Sequence, residues 1–272
     1  MKAIYNSREI LTDEIVLHDN NRAFCYGDGL FETIVTGPNR INLLHYHWAR
    51  LTEACGILKL QLPFSMPELT EMLERLTAVN NLSGDIRFRL QVWRDSGGLY
   101  APEKETASFL LTAAQSQRPF YTALNRLGLS RQASVTYHSL SFAKTMSAMP
   151  YVLAGIEQKS SDFDDLIITN GAGHVSECII SNIFWYREGC FFTPELGSGC
   201  VEGTLRNYLL DQMRITKTPV EEVLVTAQTL HDVQSIFLTN AAGVQWVRHY
   251  EDKALEDPKE KLKPLLKPLR LL

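Results

Sequence analysis

Stretches with the two-residue period of a strand alternate with stretches of helical period along the whole 272-residue chain. That alternation confines the fold to architectures in which helices cover sheets, so the expected class is α/β or α+β. The clearest strand signal is 85–93 (DIRFRLQVW). Ile86, Phe88, Leu90 and Val92 fall on one side, and Arg87, Arg89 and Gln91 on the other, the pattern of a half-buried strand. Helical spacing aligns Trp48, Leu51, Cys55 and Leu58 within 45–60, and Leu69, Met72, Leu73 and Leu76 within 66–78, where Pro67 stands near the start. Around 115–120 (QSQRPF) the periodicity lapses into polar residues and a proline. A boundary is expected there, with an N-terminal α/β domain over 1–117 and a second domain over 118–272.

The second half opens with strand-like 133–137 and passes Lys144 into a helix near Pro150, with Val152, Leu153 and Ile156 expected inward. A hairpin signal follows: Leu166–Thr169, then Asn170-Gly171, then a β run from His174 to Tyr186. Short strands are expected at 190–193, 220–225 and 235–239, and helices from Gly203-Thr204 and from Thr226. The last 20 residues read as a closing helix and tail.

Composition removes several function classes. With 27 basic and 31 acidic side chains the net charge is −4, a poor match for nucleic acid or an anionic membrane as partner. The five cysteines show no CxxC spacing and read as free thiols of a reducing compartment, so the expected location is the cytoplasm. MKAIYNSREILTDE carries no apolar run suited to a signal peptide, and no stretch reaches membrane-spanning length. The histidines are scattered, and no metal site is expected.

Four positions could carry chemistry. Lys144, in SFAKTMSAMPYVLAG, is either solvated through its stem or held in a desolvated pocket where its amine becomes nucleophilic. Local context alone favours the solvated state. Glu177 interrupts the β run HVSECIISNIFWY, where a buried carboxylate needs a partner. It is either paired with an arginine or half exposed, or it holds the proton on a heterocyclic nitrogen. Gly203-Thr204-Leu205-Arg206 opens an amphipathic helix whose first amides could receive an anion, as many helix starts could. Arg50, in HYHWARL, reads by itself as a surface charge.

Their order along the chain is far more specific than any one of them. YGDGLFET (26–33), the helix carrying Arg50, RFRLQVWRD (87–95), KTMSAMPYVLA (144–154), HVSECIISNIFW (174–185), TP (193–194), GTLR (203–206) and LTNA (238–241) together resemble the class IV aminotransferases. These are the fold-type-IV pyridoxal-phosphate enzymes, among them branched-chain and D-amino-acid aminotransferases and 4-amino-4-deoxychorismate lyases. The resemblance implies two α/β domains with pyridoxal 5'-phosphate in the cleft between them, the second domain carrying the cofactor lysine, and a homodimer. It implies that Lys144 is the Schiff-base lysine and proton carrier, and that Glu177 bonds the pyridine nitrogen. It implies that Arg50 and the amides of Thr204 and Leu205 hold the phosphate, with a further contact from Asn240 or Ala241. Arg89 matches a pocket arginine of the branched-chain enzymes, placed to bind a substrate carboxylate or to make a structural ion pair.

The implied substrate is a small amino or oxo acid, and the implied reaction transfers an amino group to a 2-oxo acid. The same lysine chemistry in an aminodeoxychorismate lyase would instead release pyruvate and 4-aminobenzoate, and the compact length and YGDGLFET fit that alternative. A non-catalytic binding homologue would not need to keep Lys144, Glu177 and Arg50 together. Phe31 stands where the D-amino-acid enzymes have tyrosine. Leu99 and Tyr100 follow the Arg94 turn where similar enzymes carry arginine or histidine. Both departures count against a D-amino-acid aminotransferase.

Overall fold

The computed structural model describes residues 1–38, 40 and 42–266. Backbone contacts divide the chain into two compact units, 1–117 with 143–147, and 118–142 with 148–272. The first unit holds β1 (Lys2–Tyr5), β2 (Arg8–Leu11), α1 (Arg22–Tyr26), β3 (Gly29–Thr36), α2 (Leu44–Leu58), α3 (Met66–Val79), β4 (Ile86–Arg94) and β5 (Ala107–Gln115). Its strands form one antiparallel sheet in the order β2-β1-β5-β4-β3.

The alternation read from DIRFRLQVW is realised from Ile86 to Val92. Ile86, Phe88, Leu90 and Val92 are buried, Arg87 and Arg89 are exposed and Gln91 is half-buried. α2 and α3 cover the apolar face, contributing Leu51, Ala54 and Cys55, and Leu69, Met72, Leu73 and Leu76. α3 starts where its sequence says it should: Ser65 caps it, Glu68 reaches back to the Ser65 amide at 2.6 Å, and Pro67 occupies the first turn. α1 ends at Gly27, whose φ of +65° closes the helix and turns the chain into β3.

The second unit holds β6 (Tyr121–Val135), α4 (Met149–Lys159), β7 (Asp165–Asn170), β8 (Val175–Cys178), β9 (Asn182–Arg187), β10 (Cys190–Pro194), α5 (Thr204–Thr216), β11 (Val220–Val223), β12 (Ser235–Asn240), β13 (Gly243–Tyr250), β14 (Lys253–Ala254) and α6 (Lys259–Leu266). The sheet runs β11-β10-β9-β12-β13-β6-β7-β8, with β14 on β13. Pairing is parallel at β10–β11, β13–β6 and β6–β7, and antiparallel elsewhere. The amide of Val175 donates to the carbonyl of Val225 at 2.8 Å, and His174 bridges Thr226. The two ends of this sheet therefore meet, and it curls around a core that includes Leu127, Ile167, Ile183, Trp185, Ile236 and Val247.

Several expectations change in this unit. The strand signal at 133–137 is the end of a 15-residue strand, β6, whose pairing with β7 shifts between Leu129 and Ser134. The run from His174 to Tyr186 is two strands. Asp165 accepts the amide of Ile179 at 3.3 Å and Cys178 donates to the carbonyl of Ser181 at 2.7 Å, turning the chain from the β7 edge into the middle of the sheet. The helix expected from Thr226 is a 3-10 segment, Ala227–Asp232. α4 forms where expected but shows Val152, Leu153 and Ile156 to solvent, because Ala154 and Tyr151 take the inward side against Ala133, Val135 and Ile168. Ala143–Ser147 groups with the first unit although 118–272 was expected to carry Lys144, because Leu30 and Thr145 form a β-bridge. The closing helix is α6, and the tail from 267 on lies outside the described residues.

Burial raises the Asp165 carboxyl to about 6, although the amides of Leu166 and Ile179 favour its charged form. The unfolded chain ionises this group first, so its contribution to stability is complete below the ordinary value of 3.8 and lost as pH rises through 6. The loss should amount to about 2–3 kcal/mol. Asp165→Asn keeps an acceptor for both amides. Chemical denaturation at pH 4, 5, 6 and 7.5 should show the parent losing stability relative to the variant across that window. Parallel profiles would mean that Asp165 has an ordinary pKa.

Candidate functional site

In the first unit the site is organised by β3. On one face of the strand Glu32 is buried beneath α2. Nε of Arg50 donates to its Oε1 at 2.8 Å and Nη2 of Arg50 to its Oε2, while Nδ1–H of His47 donates to Oε2 at 2.6 Å. His47 and Arg50 are three apart on α2 and so share the face turned to the strand. Burial alone would raise the Glu32 carboxyl and is the largest single influence, but Arg50 and then His47 outweigh it and hold it well below the usual carboxylate range. Burial lowers His47, helped by the charges of Arg50 and Lys144 and opposed by Glu32, so at neutral pH it is the uncharged imidazole.

The edge of the same strand holds Lys144. The amide of Phe31 donates to the Lys144 carbonyl at 2.8 Å, and the amide of Met146 to the Gly29 carbonyl at 2.9 Å. A Cβ on Gly29 would lie 2.7 Å from the Val92 carbonyl oxygen and 2.8 Å from Met146 Sδ, so only glycine admits this crossing. The Lys144 amine lies 5.2 Å from the Phe31 ring centroid and the Arg89 guanidinium 4.2 Å from it. Arg89 is thus stacked on an aromatic ring, and no ion pair to it is found among the described residues.

In the second unit Glu177 is buried on β8, where its Oε1 accepts from the Tyr151 hydroxyl at 2.7 Å and from the Val201 amide at 3.2 Å. Burial, followed by the Glu177 charge, pushes the Tyr151 hydroxyl far above its ordinary value, so it remains a donor. The Val201 carbonyl accepts from Asn182 Nδ2 at 2.7 Å, and Asn182 Oδ1 occupies the place beside Gly203. Gly203 caps α5 without a side-chain hydrogen bond, and the next two residues, Thr204 and Leu205, begin the helix with their amides in its first turn. Two hydrogen bonds and one close approach therefore link a buried carboxylate to a helix start of the kind that can receive an anion. Taken unit by unit, the amine and guanidinium of the first and the buried carboxylate and glycine-opened helix start of the second are of the chemical kinds that fit a phosphorylated pyridine aldehyde.

Asn240 is engaged locally. Its Nδ2 donates to Ser181 Oγ at 3.0 Å and its Oδ1 accepts the Ala242 amide at 2.9 Å, which shapes the turn containing Ala241. Tyr100 is exposed and its ring lies 5.6 Å from that of Tyr26. The loop before it is held by Arg22, whose Nη1 donates to the carbonyls of Gly97, Gly98 and Leu99. Sequence reasoning named Arg50 and Glu177 but missed Glu32, His47, Tyr151 and Asn182. A signal existed for the first two: Glu32 alternates with Leu30 and Ile34 on a strand, and His47 shares a helix face with Arg50. No such pattern marks Tyr151 or Asn182.

Among the described residues no group of His, Cys, Asp and Glu is placed to hold a metal, and no helix is long and apolar enough to cross a membrane. A Cβ at Gly203 would fall 1.8 Å from Asn182 Oδ1, although the φ of −66° there suits any residue. Gly203→Ala should therefore cost about 1–3 kcal/mol through overpacking alone. At roughly 2–4 °C per kcal/mol this is readable by thermal denaturation. Gly171→Ala, which meets open space, is the control and should change little. Equal melting temperatures for the two variants would show that Asn182 yields.

The chain matches the family described as Amino-transferase class IV over residues 29–250. It is 26% identical over 226 residues to an aminodeoxychorismate lyase of Vibrio harveyi, covering 81% of this chain and 82% of the relative. It is 23% identical over 248 residues to a D-alanine aminotransferase of Listeria monocytogenes, covering 88% and 84%. The crystal structure of a branched-chain aminotransferase from Thermoproteus uzoniensis superposes with a TM-score of 0.86 at 22% identity, over 99% of this chain and 93% of that one. The buried Glu177, the glycine-opened helix start and the strand-bound Lys144 lie within the matched span, and the chain belongs to the class IV aminotransferase family.

Proposed function

We propose that this protein is a pyridoxal-phosphate-dependent aminotransferase that passes an amino group between an amino acid and a 2-oxo acid. The observation that carries the reading is Lys144, whose main chain is fastened to the strand that also bears the Glu32–Arg50 pair. Bound pyridoxal phosphate would supply an aldehyde that captures amines and a ring that takes up electrons. Lys144 would hold the cofactor covalently and, once released by substrate, would remove and return the proton at the substrate α-carbon. Glu177, steadied by Tyr151 and the Val201 amide, would keep the ring nitrogen protonated. Arg50 and the amides of Thr204 and Leu205 would receive the phosphate, with Asn240 or Ala241 adding a contact. Phe31, Arg89 and Tyr100 would face the substrate, Arg89 through its forked guanidinium.

The similarity to the Vibrio harveyi lyase favours one second reading: the same residues releasing pyruvate and 4-aminobenzoate from aminodeoxychorismate. Assay of the pure enzyme with aminodeoxychorismate, and with L- and D-amino acids plus 2-oxoglutarate, separates the two. Appearance of 4-aminobenzoate without amino transfer would replace the first reading by the second. We place the enzyme in the cytoplasm as a homodimer. The exposed apolar side of α4, with Met149, Val152 and Ile156, supports a second copy as its cover. Sedimentation equilibrium that returned a monomer would remove the dimer.

Borohydride reduction should fix the cofactor on Lys144, and peptide mapping that found it on Lys59 or Lys159 would overturn the assignment. Lys144→Ala should retain cofactor through the phosphate contacts yet lose turnover by several orders of magnitude, since nucleophile and proton carrier vanish together. Glu177→Gln keeps the shape and removes the charge. Turnover should fall by about ten- to hundred-fold, the worth of a charge-assisted hydrogen bond, with KM little changed. Equal single-turnover rates in parent and variant would take Glu177 out of the reaction.

A further inference from the structure

Glu32 is a buried carboxylate in the first unit, paired with Arg50, and its presence there needs an explanation. Taking a carboxylate and a guanidinium out of water costs more than their attraction returns unless the geometry is very good, and an apolar pair of similar volume would serve stability as well or better. The geometry here is very good. Glu32 grips one edge of Arg50, the Nε–Nη2 edge, with both carboxylate oxygens, and His47 anchors one of those oxygens from the preceding turn of α2. A guanidinium held along one edge has its plane and its opposite edge fixed. The next residue back along β3, Phe31, holds the Lys144 carbonyl and lies under the Lys144 amine. Adjacent residues of one strand thus fix an arginine on one face and a lysine at the edge.

We infer that Glu32 is a positioning residue acting through Arg50: it sets the guanidinium in register with the Lys144 amine, so that one molecule can meet both, its phosphate at Arg50 and its aldehyde at Lys144. The inference rests on the reading that Arg50 receives the cofactor phosphate. His47 belongs to the same assembly as the second anchor of the carboxylate, and it senses the charges of both Arg50 and Lys144. Glu32 touches neither cofactor nor substrate in this account. A purely structural ion pair would instead affect folding and leave the discrimination between phosphorylated and unphosphorylated cofactor as it was.

The test compares pyridoxal phosphate with pyridoxal, which has the aldehyde but no phosphate, on the full chain stripped of cofactor. Dissociation constants are read from absorbance and fluorescence for the parent, Glu32→Gln, Arg50→Gln and the double variant. Glu32→Gln should weaken pyridoxal phosphate at least about ten-fold, within the range seen for residues of one network. Pyridoxal binding should shift by no more than about two-fold, the scatter of independent sites. In the Arg50→Gln background, Glu32→Gln should add no more than about two-fold, because the group it positions is gone. A 31P spectrum of the rebound cofactor should shift in Glu32→Gln as it does in Arg50→Gln. Equal loss of both ligands, or full additivity in the double variant, overturns the inference and leaves Arg50 as the phosphate arginine. Unchanged pyridoxal phosphate affinity in Arg50→Gln overturns the phosphate reading itself, and the inference with it. Should Glu32→Gln fail to fold, His47→Gln removes one anchor and keeps the pair; the same selective loss, smaller in size, is then required.

Discussion

A carboxylate without access to water organises the first unit. Glu32 is buried beneath α2 on a strand whose neighbours Leu30 and Ile34 belong to the core, so its charge has to be met at once and at close range. Arg50 and His47 meet it from consecutive turns of one helix, which fixes the rotation of α2 about its axis as well as its distance from β3. Truncating one partner of such a pair strands the other, a loss of about 3–5 kcal/mol in comparable buried pairs. Simultaneous replacement of both partners is far milder. The asymmetry means that Glu32 and Arg50 constrain each other more than either stabilises the fold. It also explains why an arginine that looks superficial in HYHWARL is buried.

The second unit solves a similar problem differently. Glu177 accepts from a phenol and from a main-chain amide. The Val201 amide brings in the loop before α5, and Asn182 and Gly203 then fit so closely that a methyl group would collide. Any displacement of the helix start would thus be felt at the carboxylate. The buried carboxylate of the first unit is thus held by an arginine and a histidine, and that of the second accepts from a phenol and a main-chain amide.

Much of this was legible beforehand. The burial of β4 follows its alternating side chains from Ile86 to Val92, and α3 begins at the capping box of Ser65 and Glu68. Lys144, Glu177, Arg50 and Gly203 were singled out because the family pattern orders them along the chain. What failed shares a cause. The break between β8 and β9 depends on Asp165, more than ten residues upstream, accepting one amide. The inward side of α4 was misassigned because Val152, Leu153 and Ile156 are apolar at helical spacing, yet Ala154 and Tyr151 fit the surface beneath.

Local sequence therefore determined the kind and approximate position of the elements and the residue types able to do chemistry. Periodicity, caps and glycines act over a few residues and carry their meaning with them. Only the tertiary structure decided which charged groups meet. Glu32 and Arg50 are eighteen positions apart, Tyr151 and Glu177 twenty-six, and Lys144 leaves its expected domain to bond with β3. Partners at such separations are chosen by the requirement that buried polar groups be satisfied, and that condition is written in no single segment.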